Sequence, residues 1–98
     1  MGQVQLVEVR YWAALRAAAG VDSERVPAGT LAEVLDHLRE THADSPRFAR
    51  VLGSCSVLLD EQPVGSRDHP QVDVPGGAVV DLLPPFAGGR SAVRAGAQ

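Results

Sequence analysis

Apolar and polar positions alternate at the start of the chain. Val7, Val9 and Tyr11 share one face and Glu8 and Arg10 the other, the period-two signature of a half-buried strand over Val4 to Tyr11. Val4 and Leu6 fall on the second phase, so that face also has cover, or a bulge shifts the register. From Trp12 to Ala19 the pattern becomes alanine-rich around Leu15, and Gly20 is placed to close a short helix. Ser23 to Pro27 predicts a strand joined to the first by too short a link for a crossover, hence antiparallel to it. Thr30-Leu-Ala-Glu33 predicts a capping box. Leu31, Val34, Leu35 and Leu38 follow at helical spacing, one apolar stripe facing a sheet. Ser45-Pro46 opens a second short helix with Phe48, Val51 and Leu52 on its apolar face and Gly53 at its end. Cys55 to Leu59 reads as a strand, Asp60-Glu61-Gln62 as a turn, and Pro63 to Gly65 as a short edge strand, where proline is tolerated. Ser66 to Pro70 reads as polar loop, and Val72 to Gly77 as the turn into a last strand.

The last strand organises the rest. Val79, Val80, Leu82 and Leu83 are apolar on both faces, interrupted by Asp81, the pattern of a central strand covered on two sides. Pro84 and Pro85 end it, since neither can donate to a ladder. Phe86, Ala87, Gly88 and Gly89 follow. The stretch from Pro84 to Gly89 spans at most about 20 Å, enough to enter another protein's active site, and paired glycines fit a narrow channel. Two readings stand: the globular part is a handle for chemistry at the Gly89 carbonyl carbon, or Gly88-Gly89 is a linker. Gly76-Gly77 lies between apolar stretches and reads as turn chemistry; no strand follows Gly88-Gly89.

The element order is β, short α, β, α, short α, β, short β, β. The economical assembly is α+β: a mixed sheet with its helices packed on one face, the first and last strands paired parallel in the middle. Ninety-eight residues suit one small domain, and 45% hydrophobic residues are enough for one core. Boundaries are expected at 1–83 for the domain, 84–89 for a functional tail and 90–98 for a C-terminal extension. Net charge is −3 with no lysine, which argues against a nucleic-acid surface. The missing lysines reflect compositional bias, or leave no internal ε-amine to capture an activated C-terminus. No run is long enough to cross a membrane and no signal-peptide pattern is present, so a cytoplasmic location is expected. A single cysteine, Cys55, permits no internal disulfide and reads as a small buried residue.

Other candidates point to no second site. His37 and His42 are five apart, on different helix faces, and with His69 form no metal set. No glycine-rich loop ends in Lys-Ser/Thr, so the chain should not bind ATP itself. Trp12 reads as packing, and Asp60, Glu61, Asp68 and Asp73 as solvated loop charges.

Three pieces, Val9-Arg-Tyr-Trp-Ala-Ala-Leu-Arg-Ala-Ala-Ala-Gly20, the helix at Thr30 to Thr41, and Leu82-Leu-Pro-Pro-Phe-Ala-Gly-Gly89, resemble the ubiquitin-like β-grasp sulfur carriers of the ThiS-MoaD type. They are most similar to the small subunit of molybdopterin synthase. The resemblance covers residues about 4 to 89. It implies a cycle in which an E1-like adenylyltransferase/sulfurtransferase uses ATP to adenylate the terminal glycine. Persulfide sulfur then displaces AMP, and the resulting thiocarboxylate donates sulfur inside the molybdopterin synthase large subunit or another sulfur-accepting synthase. On the matching positions Gly89 is the carrier residue and Gly88, Phe86, Ala87 and Pro85 bind partners. The resemblance implies no cofactor, no metal and no catalytic side chain of the chain's own, whether or not it is counted as part of an enzyme.

One departure matters. Carriers of this type end at the second glycine, whereas this chain continues from Arg90 to Gln98. Adenylation needs a free carboxylate, and Gly89 is held in a peptide bond. Cleavage between Gly89 and Arg90, by a processing metallopeptidase, is therefore expected. It would remove Arg90 and Arg94 and take the charge from −3 to −5. The alternatives are a carrier for cysteine, thiamine or thio-natural-product synthesis, and a non-catalytic ubiquitin-like binding module that keeps the extension.

Overall fold

In β1 (Leu6–Tyr11) the alternation does what the sequence predicts: Val7, Val9 and Tyr11 are buried and the residues between them are not. The structure, a computed structural model, describes residues 5–85; Val4 lies outside them. Leu6 is 44% exposed, and β1 pairs with β2 in unbroken register from Leu6↔Pro27 to Arg10↔Ser23. The second phase of β1 is thus neither buried at that end nor shifted by a bulge.

The chain turns at Trp12 into α1 (Ala13–Ala19), which buries Leu15 and closes at Gly20. Gly20 has φ 81°, the left-handed conformation that glycine adopts without a Cβ clash. Its N–H reaches the Arg16 carbonyl at 3.0 Å. β2 (Ser23–Pro27) then returns antiparallel to β1. After β3 (Gly29–Thr30), α2 (Leu31–Thr41) begins with the predicted capping box. The Thr30 hydroxyl accepts from the Glu33 N–H at 3.1 Å, and the Glu33 carboxylate accepts from the Thr30 N–H at 2.9 Å. All four stripe residues, Leu31, Val34, Leu35 and Leu38, are buried. α3 (Pro46–Leu52) is capped by the Ser45 hydroxyl and buries Phe48 and Leu52.

Next come β4 (Ser56–Leu59), β5 (Gln62–Pro63), a 3-10 turn at His69–Gln71, β6 (Asp73–Val74) and β7 (Val79–Leu83). The main sheet runs β2-β1-β7-β4-β5, and β3 with β6 makes a second, two-stranded sheet. β7 is central. It lies parallel to β1, with Val9 opposite Val80 and Tyr11 opposite Leu82, and antiparallel to β4. Val26, Val80 and Leu82 join the buried residues of all three helices in one core cluster, so the helices share one face of the sheet.

Four expectations need correction. β4 starts at Ser56 rather than Cys55. Asp60 and Glu61 both take positive φ, 49° and 71°, which completes a two-residue hairpin turn, so Gln62 enters β5 while Val64 and Gly65 lie beyond it. The stretch from Ser66 to Gly77 is not only loop and turn; it holds the 3-10 turn and β6. β7 is central but not covered alike on both faces. Val80 and Leu82 are fully buried in the core, whereas Val79 and Leu83 on the other face are half-buried.

Candidate functional site

The described chain ends just after β7, a strand paired on both sides. Leu82 pairs with Tyr11 on one side and Val57 on the other, and Leu83 pairs with Ser56. Pro84 is buried and Pro85 exposed, so the chain passes from core to surface across two residues of restricted φ. Of the residues predicted to act, Pro85 is thereby placed, at the surface. Phe86, Ala87, Gly88, Gly89 and Arg90 lie outside the described residues.

Beside this root sits a polar cluster that the hydrophobic pattern marked only as an interruption. Asp81, 4% exposed, is the sole buried charged residue among those described. Its strand neighbours Val80 and Leu82 face the helices, so its side chain lies on the open face of the sheet. Arg10, its register partner on β1, donates from Nε to Oδ1 at 2.8 Å and from Nη2 to Oδ2 at 3.0 Å. Trp12 Nε1 also donates to Oδ1, at 2.9 Å. Burial alone would raise the Asp81 pKa, but the hydrogen bonds from Arg10 and Trp12 and the Arg10 charge outweigh it and hold it below the ordinary carboxylate value. Trp12 has an extended backbone and Ala13 a φ of 51°. This abrupt exit from β1 leaves the indole, 43% exposed, beside the root. Trp12 is therefore less a packing residue than a half-exposed one held by a hydrogen bond.

The remaining candidates divide. Cys55 is partly buried, its Sγ 3.4 Å from the Val51 carbonyl oxygen, and burial pushes its thiol up to about 11. At neutral pH it is protonated and a poor nucleophile. Asp60 is not merely solvated, since its carboxylate accepts from the Val79 N–H at 2.9 Å and ties the β4–β5 turn to the start of β7. His42, at the end of α2, stacks on Phe48 with ring centroids 4.1 Å apart and meets Glu24 of β2 through Nε2. Sequence spacing gave no sign of that contact. Among the described residues no group of three or more His, Cys, Asp or Glu side chains is close enough to hold a metal. A cavity of about 540 Å³ is lined by Gln5, Gly29, Thr30, Glu33 and Asp73, at the opposite end of the sheet from the tail root.

A five-stranded mixed sheet with parallel first and last strands, helices on one face and a chain leaving from the central strand defines the ubiquitin-like β-grasp class. The family model described as ThiS family matches residues 9–89. The chain belongs to the ThiS family and is a ubiquitin-like sulfur-carrier protein. No curated protein sequence matches it. Among solved structures, the HVO 2177 protein of Haloferax volcanii is 28% identical, with 88% of each chain covered and a TM-score of 0.67. SAMP1 from Haloferax volcanii is 25% identical over 86% of this chain and 99% of that one, TM-score 0.69. In the complex of subunits 1 and 2 of the molybdopterin-converting factor from Helicobacter pylori, the matching chain is 26% identical over 86% of this chain and 99% of its own, TM-score 0.59. Among the described residues, no helix is long and apolar enough to cross a membrane.

Proposed function

We propose that the chain becomes active when the peptide bond between Gly89 and Arg90 is cut, that it then carries sulfur as a thiocarboxylate on Gly89, and that the sulfur goes to molybdopterin synthesis. One observation carries the reading: the family match ends at Gly89 and leaves Arg90 to Gln98 outside it. In this scheme residues 1–83 are the handle, 84–89 the working tail and 90–98 a removable extension.

The chemistry follows from the freed carboxylate. An activating partner joins it to the α-phosphate of ATP and releases pyrophosphate. A hydrosulfide-equivalent sulfur then attacks the acyl carbon, the C–S bond forms, and the C–O bond to AMP breaks. The thiocarboxylate sulfur is nucleophilic at neutral pH and attacks the acceptor inside a synthase. Gly88 and Gly89 admit the tail to a narrow channel, and Phe86, Ala87 and Pro85 contact its mouth. The molybdopterin assignment is supported by likeness to a chain from a molybdopterin-converting factor complex.

Intact-mass measurement of the protein from its native host tests the processing step. A product ending at Gly89 is expected; full-length protein alone sinks it. The protein ending at Gly89, given an activating enzyme, ATP and a sulfur donor, should gain the mass of one oxygen exchanged for sulfur. Thiocarboxylate that is consumed by a synthase of another pathway but not by a molybdopterin synthase large subunit would overturn the pathway assignment alone.

A further inference from the structure

The Arg10–Asp81–Trp12 cluster satisfies the carboxylate but not the guanidinium. Arginine has five N–H donors in a rigid fork, and among the described residues Asp81 takes two of those on Arg10. The Arg10 side chain is 40% exposed, against 5% for Asp81. Glu8 and Glu61 lie close enough to favour its charge further. The open face of the sheet thus displays a fixed cation with carboxylates around it, on the strand beside β7 and opposite Asp81, which lies three residues before Pro84. A pair of apolar side chains at positions 10 and 81 would hold the two strands at least as well, since replacing a buried ion pair by packed hydrophobic residues is often neutral or stabilising. What the ion pair adds is the aim of the guanidinium, with Asp81 as the positioning residue.

We propose that Arg10 is a specificity-determining contact for the enzyme that adenylates Gly89, and that this partner sets a carboxylate against the outward edge of the Arg10 fork. The inference rests on the sulfur-carrier reading. Activation precedes every transfer, so the activating enzyme meets every processed copy, whichever synthase follows. Its target, Gly89, is four residues past Pro85 in the sequence. All twelve acidic residues lie within residues 5–85, and the form ending at Gly89 carries a net −5. Charge alone would therefore recruit any basic surface. A partner that places an acid at Arg10 and basic groups opposite Glu8 and Glu61 matches the pattern; a uniformly basic one leaves Arg10 unpaired and repelled.

The test uses the protein ending at Gly89, which keeps every described residue, with the host's activating enzyme as probe and carrier-dependent pyrophosphate release as readout. Arg10→Leu combined with Asp81→Leu removes the charge but leaves no buried ion without a partner. The exchanged pair, Arg10→Asp with Asp81→Arg, keeps an ion pair but inverts the display. For whichever of these melts cooperatively near the wild type, KM for the carrier should rise about tenfold or more with kcat unchanged. A folded variant whose KM stays within about twofold of wild type overturns the inference and leaves the pair a structural role only. No pyrophosphate release with the wild-type carrier would overturn the proposed activation at Gly89, and this inference with it.

Discussion

Asp81 occupies a position where patterning calls for an apolar side chain, and its charge survives burial because three donors close around it. Its folded-state pKa is lowered, so the stability it contributes is present above the ordinary carboxylate value of about 3.9 and is lost as pH falls through the folded-state value. Urea midpoints measured from pH 7 to pH 3 should fall more steeply for the wild type than for Asp81→Asn. Tyr11 is the contrary case. Its buried hydroxyl has no hydrogen-bond partner among the described residues, and burial, with Glu24 nearby, raises its pKa. Tyr11→Phe should be neutral, or stabilising by about 1 kcal/mol, in urea unfolding. Neither environment was legible in the sequence. Arg10 and Trp12 stand 71 and 69 residues from Asp81, and no local period links residues that only the sheet register brings together.

The elements were most legible where a signal is local. The capping box needs only Thr30 and Glu33, three residues apart, and it forms as predicted. Thr30→Ala should cost about 1 kcal/mol in thermal or urea unfolding. Gly29 belongs to the same device. A Cβ there would come within 2.5 Å of the Glu33 Oε1 atom, so the carboxylate would have to swing away and release the Thr30 N–H. The apolar stripe of α2 and the caps of α1 and α3 were equally open to reading. β3 and β6 were not, because strands of two residues are too short to show a period of two. β5 shifted for a related reason: the turn was expected to take three residues, and positive φ at Asp60 and Glu61 lets it close in two.

For the whole molecule, fold class, the order of the three helices and the five main-sheet strands, and the parallel middle pair followed from hydrophobic pattern and link lengths. The proposed site was legible only as a motif, Phe86 to Gly89, which lies outside the described residues. Charge acts at this scale too. The acidic domain should meet its activating enzyme faster at low ionic strength, and kcat/KM for activation should fall as salt rises towards 0.5 M, by about tenfold if the encounter is steered. A salt-independent rate would mean that charge does not guide the encounter. The pairing of β1 with β7 has a last consequence, for how the protein is made. β1 is synthesised some 70 residues before its partner β7, so the sheet has no centre until translation has passed Leu83. Nascent chains stalled earlier have no finished core to protect them from proteases, and a copy that survives folded has been translated at least as far as the prolines that precede the proposed carrier tail.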